Sequence, residues 1–143
     1  MIVASLLNTK GRDVFSITPD ASVTDAARYL RDKSIGAALV LDQSGAAAGV
    51  FSERDLVNAI ADQGNTALSL KVGDLMSRDL VSCTPTDPIP AVMATMTERR
   101  VRHLPVMDAG KVVGVVSIGD VVKSRIAEAE TEAKALKAYI ASG

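Results

Sequence analysis

Tryptophan is absent from the 143 residues, and aromatics are confined to two tyrosines and two phenylalanines. A core without large rings has to be assembled from Val, Leu, Ile, Ala and Met, a mix suited to short strands packed on helices. Cys83 is the single cysteine, which excludes an intramolecular disulfide. His103 is likewise the single histidine, and one of each without ligand spacing makes no case for a metal site. Charge of one sign is not in excess either, with 16 basic against 17 acidic residues and a net charge of -1. No global field therefore recruits nucleic acid or an anionic membrane, and any anion site must be local. No run of ~18 apolar residues reads as a membrane span, and the start MIVASLLNTKGRD lacks the apolar stretch of a secretory signal. A soluble, cytoplasmic protein is the expectation. Neither a nucleophile elbow nor a phosphate-binding P-loop occurs, and no catalytic constellation stands in their place.

What is present is a repeat. Val14-Phe15-Ser16-Ile17 followed by Thr18-Pro19 matches Leu80-Val81-Ser82-Cys83 followed by Thr84-Pro85 at an offset of 66. Each strand-like segment leads into a helix. In the first, Ser22 is a candidate N-cap, and Val23, Ala26, Ala27 and Leu30 recur at the spacing of one buried face. In the second, Asp87 is the candidate cap, Pro88 and Pro90 fall near the start, and Ile89, Val92, Met93 and Met96 repeat the spacing.

Two hairpins follow. Ala38 to Asp42 matches Leu104 to Asp108 at the same offset, whereas Gly49-Val50-Phe51-Ser52 matches Gly114-Val115-Val116-Ser117 at 65. One residue has been lost at the hairpin tip, where such changes are best tolerated. The first hairpin opens into a helix from about Glu53 to Asp62. The second opens into a longer one from about Ile118 to Ile140, whose Val122, Ile126, Ala129, Ala133, Leu136 and Ile140 form an a/d seam. That seam predicts packing on the core, on the N-terminal element or on another subunit.

The fold class expected is α+β. Two β-α-β-β-α repeats, residues 3–63 and 72–128, are joined by a linker at 64–71 and followed by a helical extension at 129–143. Halves of roughly 65 residues bury too little surface alone, so they are expected to share a core and pack sheet to sheet as a pseudo-two-fold pair.

The block Arg102-His103-Leu104-Pro105-Val106 with Gly114-Val115-Val116-Ser117-Ile118-Gly119-Asp120, duplicated as Gly49-Val50-Phe51-Ser52-Glu53-Arg54-Asp55, resembles a tandem pair of cystathionine β-synthase (CBS) domains, the Bateman module. The likeness spans about residues 3–128. It implies a non-catalytic regulatory module binding an adenosine-containing ligand between paired domains. AMP is the first choice, with NAD(H), ADP, ATP or S-adenosylmethionine as other members of the class and no obligatory cofactor. It also implies a homodimer. A ligand-free dimerisation or scaffold protein of the same fold, recruiting partners through the long helix, is the alternative.

Ser52-x-x-Asp55 and Ser117-x-x-Asp120 each stand where a strand becomes a helix. Spacing alone fits a capping box, in which the serine caps the helix and the acid reaches back. The resemblance instead assigns Asp120, and more weakly Asp55, to a ribose, with Ser117, Ser52 and first-turn amides near a phosphate. It also turns Arg102 and His103 toward phosphates; without it they form a solvated corner. Their counterparts Gly36 and Ala37 can do neither, so the cleft of Arg102, His103, Ser117 and Asp120 is expected to bind a phosphorylated ligand more tightly. Arg54, Lys10 and Arg12 are further anion candidates. Thr18 and Thr84 either touch the nucleoside or close turns. Val14, Ala38, Leu80 and Leu104 are the expected cleft walls. Cys83 reads as a buried small hydrophobe, and Met76, Met93, Met96 and Met107 as core filler.

Overall fold

The computed structural model describes residues 1–142. The first half carries β1 (Ser16–Ile17), α2 (Val23–Lys33), β2 (Ala37–Leu41), β3 (Ala47–Ser52) and α3 (Glu53–Gln63). The second carries α5 (Ile89–Arg99), β4 (His103–Asp108), β5 (Lys111–Ser117) and α6 (Ile118–Ser142). A short helix precedes each, α1 (Val3–Lys10) and α4 (Val72–Leu75), and a 3-10 turn at Gly64–Ser69 connects the halves. Gly11 stops α1 at φ 101, a conformation glycine reaches without a Cβ penalty.

Local chemistry explains most of these boundaries. The Ser22 hydroxyl accepts the Asp25 N–H at 3.1 Å and starts α2. The expected cap at Asp87 does not form: Pro88 is the N-cap residue and has no side-chain cap hydrogen bond. The Asp87 carboxylate instead accepts from the Thr84 N–H and hydroxyl, each at 2.9 Å. Pro90 lacks an N–H in the first turn, so a cap there has one donor fewer to satisfy. Both α2 and α5 end on a left-handed residue, Ser34 and Arg100, each at φ 55.

In the first sheet β1 runs parallel to β2, and β2 pairs antiparallel with β3. The second sheet holds only β4 and β5, with His103 opposite Ser117. The strand expected at 80–83 is reduced to a single parallel bridge between Cys83 and Val106. The cause lies across the ladder. In the first sheet the Leu39 N–H donates to the Phe15 carbonyl at 3.1 Å; its counterpart Pro105 has no N–H to give to Val81. The shortened second hairpin turns through Ala109 and Gly110, at φ 52 and 80, as a two-residue turn with both central φ values positive requires.

The expected common core is instead two. Val3, Leu6 and Leu7 of α1 are buried among Cys83, Ile89, Val92, Met96, Leu104, Val106, Val116 and Val121. Val72 of α4 and the adjacent Met76 are buried among Ala26, Leu30, Ala38, Val40 and Phe51. Each half thus receives the leading helix of the other, which is how two small units complete their apolar cores. The clasps are equivalent. Val3 and Ala4 N–H donate to the Asp87 and Pro85 carbonyls at 3.0 and 2.8 Å; Val72 and Gly73 N–H donate to the Ala21 and Pro19 carbonyls, both at 2.9 Å.

Along α6, Val121 and Ser124 are buried, whereas Val122, Ile126, Leu136, Tyr139 and Ile140 are exposed. The seam therefore lies open, and the N-terminal residue covers another face, where the Ser124 hydroxyl meets Met1 Sδ at 2.9 Å. No helix among the described residues is long and apolar enough to cross a membrane.

Candidate functional site

Between the two sheets lies a cavity of about 230 Å³. Strand alternation builds it. Facing residues repeat every second position, so Ala37 and Leu39 of β2 meet His103 and Pro105 of β4, with Val50 and Val115 from the adjoining strands. Phe15, Ile35 and Ala38 add to the apolar lining; Asp13 adds a carboxylate, and Lys10, Ser117 and Asp120, hydrogen-bonded to one another beside His103, form a polar end. Drug-sized ligands occupy pockets of ~300–1,000 Å³. This cavity is smaller and suits one flat apolar group with a polar appendage, leaving anything further at the rim.

At the polar end Asp120 sits in the first turn of α6. Its Oδ2 accepts from the Ser117 N–H at 3.0 Å, the Ser117 hydroxyl at 2.8 Å and Lys10 Nζ at 2.6 Å. The Asp120 N–H donates back to Ser117 Oγ at 3.1 Å. Oδ1 accepts no hydrogen bond among the described residues and remains available. Burial pushes the Asp120 carboxyl up, but the Lys10 and Ser117 hydrogen bonds and the Lys10 charge outweigh it and hold the group below its usual 3.8. Desolvation, then the Lys10 and Arg102 charges, outweigh the pull of Asp120 on His103 and keep the imidazole below its ordinary 6.5. Its ring is neutral at pH 7.

Capping and cleft lining thus coincide at Asp120. Ser117 is less free than its position suggests, because its proton is committed to Asp120 and its oxygen accepts an amide. The Ile118 N–H is also engaged, donating to the Arg102 carbonyl at 2.8 Å. An anion here would find two of the three first-turn amides already engaged and would lean on side-chain cations.

The other sequence candidates are dispersed. Ser52 and Asp55 form the same capping box, with the Ser52 N–H and hydroxyl 2.9 and 3.0 Å from Asp55 Oδ2, but neither lines the cavity. Among the described residues no lysine pairs with Asp55; the position that matches Lys10 along the α4 segment is Asp79, paired with Arg99 at 3.0 Å. Arg54 and Arg102 are exposed and outside the lining, and Arg12 turns to Asn8 at 2.8 Å. Thr18 and Thr84 belong to the turns that clasp α4 and α1 and do not reach the cavity.

Leu104 is fully buried in the second core rather than in the cleft wall. It neighbours His103 on β4, and adjacent strand residues face opposite ways. The same alternation, started from His103, would have found Pro105, and from Ala37, Leu39. Val14 and Leu80 do not line the cavity either, while Ala38 does, although it also belongs to the first core. Burial, then the nearby Asp87 charge, pushes the Cys83 thiol up to about 11, so it is inert at neutral pH.

The comparisons with known proteins address this arrangement. The CBS domain family matches twice, over residues 4–62 and 72–127. The chain is 34% identical, over 99% of its length and 72% of the relative's, to the mitochondrial CBS domain-containing protein CBSX3 of Arabidopsis thaliana. Its structure resembles that of the CBS-domain containing protein ATU1752 from Agrobacterium tumefaciens, with a TM-score of 0.82, 44% identity and coverage of 87% of this chain and 92% of that one. It also resembles the CBS domain protein PAE2072 from Pyrobaculum aerophilum complexed with AMP, with a TM-score of 0.73, 25% identity and coverage of 84% and 89%. With two matched domains, each clasped by the other's leading helix, the chain belongs to the CBS-domain family as a CBS pair.

Proposed function

We propose that this CBS pair is a non-catalytic regulatory module whose inter-sheet cleft holds the adenosine part of an adenine nucleotide. The observation that carries the reading is an apolar cavity of nucleoside size closed at one end by Asp120, whose Oδ1 is open. A purine suits the apolar wall, and an ionised carboxylate accepts the two hydroxyls of a ribose. AMP is the first choice; ADP, ATP and NAD(H) share the part that the cleft encloses. Among the lining residues Lys10 is the cation set against two carboxylates, Asp13 and Asp120, a balance that does not suit a ligand carrying many negative charges inside the cleft. The AMP complex of a structural relative supports the same ligand class.

A melting-temperature screen with AMP, ADP, ATP, NADH and S-adenosylmethionine tests this. A ligand at a hundred times its Kd stabilises by ~2.7 kcal/mol, a rise of about 5–10 °C at this size. No rise with any of them removes the nucleotide reading and leaves the scaffold role, which the open α6 seam favours.

We further propose a homodimer. The seam residues Val122, Ile126, Leu136 and Ile140 are 43, 54, 60 and 67% exposed. Analytical ultracentrifugation is expected to give a dimer, dissociated by Leu136→Glu with Ile140→Glu; a wild-type monomer of 14.9 kDa contradicts it.

A further inference from the structure

Lys10 is the last residue of α1, yet its ammonium reaches the second half's side of the cleft between the sheets. Nζ donates to Asp120 Oδ2 and to the Val115 carbonyl, each at 2.6 Å. An ammonium carries three donors, so one is left. Both contacts lie on the side of the cavity that holds His103. A carboxylate that grips a ribose diol through Oδ1 leaves the 5′ carbon of that sugar within the sweep of a four-carbon lysine stem. Gly11, which follows, has no heavy atom within 4 Å of where a Cβ would stand, so nothing packs on the chain just beyond the lysine.

From these contacts the geometry points to Lys10 as the residue that sets the preference of the cleft for phosphorylated over unphosphorylated adenosine ligands, an inference that rests on the adenosine reading above. Its ammonium neutralises Asp120 in the free protein and is shared with the 5′-phosphate in the complex. Without it the ionisable lining is Asp13, Asp120 and a neutral His103, which repels an anion but not a neutral nucleoside. The Ser117 hydroxyl and the Ile118 and Asp120 amides cannot substitute, because their donors are already engaged. Selection for phosphate is then made by a side chain from the exchanged helix, outside the Gly-x-x-Ser-x-x-Asp pattern, and ligand contact bears on α1, whose Val3, Leu6 and Leu7 sit in the second core.

Calorimetric titration of the full chain with AMP and with adenosine distinguishes the possibilities. The wild type is expected to prefer AMP, and Lys10→Met to lose about 10- to 100-fold in AMP affinity while adenosine affinity changes less than about threefold. Lys10→Arg keeps the charge and the preference. A wild type that binds the two equally, a Lys10→Met chain that loses both ligands alike, or a Lys10→Arg chain that loses the preference as fully as Lys10→Met overturns the role of Lys10 while leaving the adenosine site standing. A wild type that binds neither ligand overturns the adenosine reading itself, and this inference with it.

Discussion

Gly49→Ala is expected to lower stability by about 3 kcal/mol, while the equivalent Gly114→Ala costs under about 1 kcal/mol. A Cβ on Gly49 would collide with the carbonyl oxygen of Ser77 and press on Met76 Sδ at 3.2 Å. That carbonyl cannot yield cheaply, because it accepts the Val50 N–H at 2.9 Å while Ser77 N–H donates to the Val50 carbonyl at 2.8 Å. A Cβ on Gly114 would meet the Leu7 side chain alone, its methyls Cδ2 at 2.8 Å and Cδ1 at 3.2 Å, the end of a side chain that can turn where a bonded backbone carbonyl cannot. Alanine otherwise suits a strand at least as well as glycine, so the sign comes from the collision alone. Urea denaturation at unchanged m value measures both. Equal losses in the two variants would contradict the assignment of Gly49 to the close passage of the exchanged segment at Met76 and Ser77.

The second large effect concerns ligand. Asp120→Ala removes the charged acceptor of two ribose hydroxyls, each worth ~1.5–3 kcal/mol, so AMP affinity is expected to fall at least about 100-fold by calorimetry. Asp55→Ala, which removes the same capping box from the first half, is expected to change it less than about threefold. Loss of either box also costs about 1 kcal/mol of stability, which a parallel melting curve separates from the binding effect. Equal losses of affinity would refute the asymmetry between the clefts. That asymmetry rests on His103 and Lys10 rather than on Arg102, which lies outside the lining: Lys10 pairs with Asp120, and among the described residues no lysine pairs with Asp55.

The repeat was legible in the sequence because its signals are local. The Thr-Pro turns, the helical spacing of Val23 to Leu30 and of Ile89 to Met96, and the Gly-x-x-Ser-x-x-Asp junctions each depend on residues a few positions apart. The site was legible where it coincides with such a junction, at Ser117 and Asp120, and at His103 beside the second hairpin. Two parts were not. Leu104 was placed in the wall because nothing local fixes which face of a strand meets the cleft, and an error of one residue reverses it. The role of Lys10 depends on α1 crossing to the far half, a contact over 110 positions that no periodicity encodes. The missing strand at 80–83 shares the second cause, since the N–H it needs is absent from Pro105 on another element.

The crossing of α1 also constrains the order in which the molecule can be built. An eight-residue helix does not persist by itself in water, and its partners Pro85 and Asp87 are made some eighty positions later. The first core is completed sooner, once Val72 and Met76 follow Phe51. During synthesis from the N-terminus, the earliest residues are therefore among the last to find their place, and such long-range closure slows folding. Until Val115 and Asp120 have been made, Lys10 has neither of its partners, so a nascent chain can finish its first core well before its ligand site exists.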